Sequence, residues 1–268
     1  MPNELVHAVV LGGVVIVLPL VFGGWRRWAL AGAAVAGSFM VPVGAASAAV
    51  ASIWFAVAAW TATVELRRPD TPLVSVVRIA GGFGVVAASA FVMSRGGVSL
   101  FGIGEPIVEL TAVHFTYAGV GAVTLAGAVA TGRVGRLALL ATAAAPPIVA
   151  LGFVVAHPVA QVGGAVLMSA GVLATATLQL HDAANRTGGQ RLLLTVSGLA
   201  PWAPMVLAVA WASSLYWNVP ALSVPDMART HGVMNVVFVV AGLLARRQVA
   251  DHPGRRPAGA PHVMGAVA

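Results

Sequence analysis

The sequence predicts an all-α protein, a polytopic transmembrane bundle of eight or nine helices. Three observations carry this reading. The chain is 59% hydrophobic and only 9% charged, with mean hydropathy +0.92, whereas a soluble domain carries about 25% charged residues. Apolar stretches close to the roughly 20 residues that cross a bilayer recur along all 268 residues with short loops between them. The fifteen basic residues are all Arg, and most stand in pairs between apolar stretches, as cytoplasmic loops do. Bundle and tail are expected at 1–247 and 248–268, the tail Pro- and Gly-rich and disordered.

In chain order, the first apolar segment is read over about 4–22, ending at Arg26-Arg27. With Glu4 and no basic leader, no cleavable signal peptide is expected. The second, about 28–46, is rich in Ala and Gly, which suits close packing of helices in lipid. The third covers about 47–65 and stops at Arg67-Arg68-Pro69-Asp70. The fourth runs over about 72–93, the fifth over about 105–130, the sixth over about 137–155. Pro146-Pro147 falls inside the sixth and is expected to kink or break it. The seventh is about 158–180, followed by a polar, Gly-rich loop from His181 to Arg191. The eighth, about 192–214, holds Pro201 and Pro204, and the ninth covers about 225–244.

With nine spans, Arg26, Arg27, Arg67, Arg68, Arg133, Arg136, Arg186, Arg191, Arg246, Arg247, Arg255 and Arg256 fall on one side. Arg95 and Arg229 fall near the other, and Arg78 lies within a span. Such a bias marks the cytoplasmic side. The expected location is the bacterial cytoplasmic membrane, with the C-terminus inside.

The fifth segment opens with an unusual density of polar groups: Glu105, Pro106, Glu109, Thr111, His114, Thr116 and Tyr117. Pro106 suits a first helical turn. Glu105 and Glu109, four apart, share a face; His114 and Tyr117, three apart, share another. Ionisable groups within a membrane face the protein interior or a wet cavity. Segment nine enters from the same side and carries His231 and Asn235 on one face, with Asp226 and Arg229 before them. The two segments are therefore expected to pack side by side and share a pocket, although interhelical hydrogen bonding alone also explains polar residues there. At the other side Glu65 and Arg78 reach comparable depth, where a plain ion pair is the alternative to a role. Trp25, Trp28 and Trp217 suit interface anchors, while Trp54, Trp202 and Trp211 lie deeper, placed to line a cavity.

Several chemistries lack their signatures. There is no phosphate-binding Gly loop, no Gly-x-Ser-x-Gly elbow, no His-Glu-x-x-His and no Asp-Asp-x-x-Asp run. Cysteine is absent, which removes disulfides and thiol chemistry. No metal and no cofactor are expected, and the net charge of +7 forms no nucleic-acid patch.

Two stretches, Gly102–Gly119 and Met227–Asn235, resemble the YndJ-like family of bacterial integral membrane proteins. Glu105-Pro106-Ile107, Leu110-Thr111-Ala112-Val113-His114-Phe115 with Tyr117-Ala118-Gly119, and Met227-Ala228-Arg229-Thr230-His231-Gly232 with Asn235 match motifs of that family. The chain departs at Thr116, where the family commonly has a second His, and at Glu109, where an apolar residue is expected. The resemblance implies a transporter or small-molecule-binding membrane protein without an established substrate. In size, composition and intramembrane acids the chain also resembles the membrane-bound terpene cyclases of actinomycetes. That implies a proton-initiated cyclisation of a lipid-soluble prenylated substrate, such as an indole sesquiterpenoid, within membrane lipids. A carboxyl in an apolar bundle keeps its proton at neutral pH, the state a general acid requires. On this reading Glu109 is the acid, Glu65 the second candidate, and His114 and His231 orient it or take the final proton. Tyr117, Asn235, Phe115, Trp54, Trp211 and Glu105 then bind substrate, with aromatic faces stabilising cations.

Overall fold

The computed structural model describes residues 2–99 and 102–250. Among them there are nine helical segments and no strand. Eight are long and apolar enough to cross a membrane. We number them α1 (Pro2–Gly12, a π-helical stretch Gly13–Val17, then Leu18–Phe22), α2 (Trp25–Phe39), α3 (Ala45–Leu66), α4 (Pro72–Gly96) and α5 (Ile107–Ala128). Then follow α6 (Gly132–Val154), α7 (Pro158–Ala184), α8 (Gly188–Ser214) and α9 (Val224–Met227, a π-helical stretch Ala228–Gly232, then Val233–Ala250). Large apolar side chains on the outer surface, among them Leu30, Trp60, Leu140 and Val206, are more than half exposed, as lipid-facing positions are.

The exception in length is α2, with 15 residues, about 22 Å of rise. It nevertheless runs the depth of α1 in reverse. It starts where Arg27 donates to the Phe22 carbonyl and ends with Phe39 stacked on the His7 ring at 3.8 Å. The second segment thus ends earlier than its composition suggests. The bend at Met40–Gly44 closes with the Gly44 amide donating to the Arg95 carbonyl. Local signals fix the other ends. Thr71 caps α4, accepting from the Val74 amide, and Gly97 at φ 69° terminates it. Ser223 caps α9 by accepting from the Asp226 amide.

The prolines act differently in two places. α6 continues through Pro146 and Pro147 without a break, contrary to expectation. Proline removes a donor, but the carbonyls it frees need not interrupt a helix that its neighbours hold. α8 is interrupted at Ala200–Pro201, after which Pro204 lies in the first turn of its second half.

Two cores share α1 and α5. One joins α1 to α4 around Trp28, Trp54, Phe91 and Leu18. The other joins α1, α5, α7, α8 and α9 around Tyr117, Leu125, Met205 and Phe238. The closest backbone approaches are made by glycines. A Cβ on Gly171 of α7 would meet the Thr142 amide nitrogen of α6 at 2.8 Å, the close fit that small residues permit in membranes. α1, α5 and α9 run parallel. His7 meets Glu109 near their starts; at their ends Arg247 donates to the Pro19 carbonyl and Arg246 to the Thr124 carbonyl. The described chain therefore begins on one face of the bundle, the amino-terminal face, and ends on the other, the arginine face. Residues 251–268, which include most of the expected tail, lie outside the described residues; 248–250 continue α9.

Arg78 belongs to the arginine face. It pairs with Asp70 and donates to the carbonyls of Glu65, Leu66 and Arg68, so it satisfies the open end of α3. The expected Glu65–Arg78 side-chain pair is not made. The Glu65 carboxylate, 1% exposed, pairs with Arg68 at 3.0 Å, one turn on.

Candidate functional site

The π-helical stretches lie in the three parallel helices: Gly13–Val17 in α1, Phe115–Ala122 in α5 and Ala228–Gly232 in α9. A π turn admits one extra residue and often marks a functional site. The first two are in contact. A Cβ on Gly13 would come within 2.7 Å of Thr116 Cγ2, and the Tyr117 hydroxyl donates to the Val9 carbonyl at 3.0 Å. The third brings His231 opposite His114, ring centroids 6.2 Å apart and planes within 21°.

The two histidines face a cavity of about 410 Å³ in the amino-terminal half of the bundle. That volume falls within the range of small-molecule sites. Its wall is mostly Val, Leu, Ala and Met from α1, α5, α6, α7, α8 and α9, and no charged side chain lines it. His114 lies on the inner helix α5 yet its ring is accessible, because it borders this open space. His231 is partly buried, with Nδ1 on the Pro204 carbonyl at 2.8 Å. Asn235, one turn on, donates to the His231 carbonyl. Tyr117, Phe115 and Trp211 also border the cavity; Phe115 packs on Phe83 at 5.5 Å, and Trp211 on Phe153 at 6.4 Å. Segments five and nine thus lie side by side, with His114, Tyr117, His231 and Asn235 around one space.

Other expected residues stand elsewhere. Trp54 is fully buried against Phe91 in the first core. Trp202 is 47% exposed on the outer surface, its indole donating to the Gly198 carbonyl. Neither lines the cavity: an indole in mid-span is equally suited to packing or lipid. Glu65 lies on the arginine face, away from the cavity. Glu105 is exposed at the start of α5, where its carboxylate accepts from the Glu109 amide at 3.4 Å.

Glu109 is absent from the wall as well. Val108 and Leu110 border the cavity, as do Leu5 and Val6 of α1. Between these pairs of helices Glu109 Oε1 stands 3.4 Å from His7 Nε2. The atoms are not aligned as a hydrogen bond, and Oε1 is buried without a partner. Beside them Arg95, 8% exposed, donates to the Ser47 hydroxyl and the carbonyls of Ser38 and Val41. Its guanidinium lies 5.5 Å from the centre of the Phe39 ring, on which His7 also stacks. Sequence reasoning gave no role to His7, Arg95 or Gln161. The signal for Gln161 was available, an amide one turn into an apolar segment. Among the described residues no three His, Cys, Asp or Glu side chains group as metal ligands.

Fold and site together define an all-helical, polytopic membrane protein enclosing a lipophilic cavity with a polar wall. The chain belongs to the YndJ-like protein family, whose model matches residues 8–248. No curated protein and no solved structure matches it.

Proposed function

We propose that the protein binds a small, largely apolar molecule in the cavity of the amino-terminal half, as a carrier or receptor for a lipophilic compound. The observation that carries this reading is the cavity itself: about 410 Å³ of apolar wall with His114, His231, Tyr117 and Asn235 converging on it. Ligand sites are largely apolar with a few convergent polar groups. Native mass spectrometry of the protein extracted from its membranes tests the proposal. A small molecule is expected to accompany it, and to be lost in Ala208→Trp, which fills the space from α8. Identical spectra for the two proteins, with no adduct in either, would refute the binding reading.

A second reading is favoured by the His7–Glu109 pair directly behind this wall. On it, the protein is a cyclase of prenylated substrates, and Glu109 is the general acid. Glu109→Gln is then expected to lower cyclised product about 10²–10⁴-fold, while the protein still inserts. Glu65→Gln, on the far face, leaves activity unchanged. Full activity in Glu109→Gln removes that carboxyl from the chemistry.

We further propose that the arginine face is cytoplasmic and that the membrane is the bacterial inner membrane. Reporter domains fused after Arg136 and after Arg247 are both expected to report cytoplasm. An external signal from either would reverse the assignment.

A further inference from the structure

The polar atoms of the cavity wall share one bias. Tyr117 donates to the Val9 carbonyl, Thr111 to Ile107, Ser169 to Met205, Gln161 to Gly152 and Asn235 to His231. In each case a hydrogen is used on the backbone. His231 follows the same rule. A carbonyl only accepts, so Nδ1, 2.8 Å from the Pro204 oxygen, carries the ring hydrogen. In the neutral imidazole Nε2 is then an acceptor. Gln161 is the plainest case. Its Nε2 is fixed as the donor by the Gly152 oxygen at 2.9 Å, which leaves Oε1 buried and without a partner in a side chain only 5% exposed. An unpaired buried acceptor is costly, and a group that brings it a hydrogen is favoured. Few donors remain on the wall: the Trp211 indole N–H, the second amide hydrogens, and whichever His114 nitrogen is protonated.

We propose, resting on the binding reading above, that the cavity selects a neutral lipophilic alcohol or phenol, held by its hydroxyl hydrogen on Gln161 Oε1 or His231 Nε2. A protonated amine fits poorly, because no charged side chain lines the wall to offset its desolvation. An amide brings a carbonyl that this donor-poor wall serves badly. A hydroxyl supplies the missing hydrogen and leaves nothing that must be paired.

The test uses 4-hexylphenol and its methyl ether 4-hexylanisole, which differ in the O–H alone. Binding to the full chain in lipid nanodiscs is measured by calorimetry, with empty nanodiscs subtracted and Ala208→Trp as the filled-cavity control. The phenol is expected to bind about tenfold more tightly than the ether, the worth of one hydrogen bond to a buried acceptor. Gln161→Met or His231→Phe should bring the ratio close to one while the ether still binds, which shows that the cavity is intact. Equal binding of phenol and ether to the wild type, or a ratio unchanged in both variants, overturns this inference alone. Failure of both probes to bind the wild type above Ala208→Trp overturns it together with the binding reading.

Discussion

Gly171→Leu is expected to separate α6 from α7 and to abolish the folded bundle at temperatures where the wild type is stable. Even a methyl group at this position would lie 2.6 Å from Thr142 Oγ1, 2.8 Å from the Thr142 nitrogen and 3.1 Å from the Ala138 oxygen. Overpacking costs about 1–3 kcal/mol where side chains can turn away. Two of these three atoms are backbone and cannot, so the helices themselves must move. Both helices also line the cavity, so ligand binding falls with stability. Thermal unfolding in detergent, followed by circular dichroism, provides the measurement. Gly163→Ala is the control on the same helix: a Cβ there meets nothing within 4 Å, and its melting temperature should equal that of the wild type. If Gly171→Leu melts with it, the α6–α7 contact is looser than described.

The second large effect is expected at Arg95. Its guanidinium reaches the Ser47 hydroxyl and the carbonyls of Ser38 and Val41 at 2.9–3.0 Å, tying α4 to the ends of α2 and α3. Arg95→Leu leaves those acceptors short of a donor in an apolar setting and should cost on the order of 3 kcal/mol, since hydrogen bonds to a charged group contribute about 1.5–3 kcal/mol each. Arg95→Lys recovers only part of this, because an ammonium cannot present the planar fork. The readout is the midpoint of denaturation by sodium dodecyl sulfate. An Arg95→Leu midpoint equal to the wild-type value would show that the buried charge contributes nothing net, as some buried charges do.

Much of the bundle was legible in the sequence because lipid imposes so few solutions. Long apolar runs must be helices, since nothing else satisfies their backbone there, and paired arginines mark where they end. The shared space between segments five and nine was legible for the same reason: His114, Tyr117, His231 and Asn235 have no good place on a lipid face. Direction within the bundle was not. Glu109 and His114 are five residues apart, and nothing in their spacing says that one turns to His7 and the other to the cavity. Glu65 and Arg78 sit at one depth, but the exposed carbonyls at the end of α3 compete for the guanidinium and win it. Trp54 and Trp211 are alike in sequence, and only the packing of neighbouring helices separates a core indole from a cavity one. The length of α2 was misjudged because Ala and Gly continue past Phe39 without a polar break.

The π-helical stretches in α1, α5 and α9 act as rotary joints. A spare residue held in the middle of a span offsets the facing of everything on one side of it from everything on the other. The outer halves of these three helices can therefore present His114, His231 and their neighbours inward at an angle that the inner halves, seated among the arginines, do not dictate. Substitutions that re-aim the cavity wall then leave the anchorage at the opposite face undisturbed. A family built this way can retune what it holds while keeping one unchanging base.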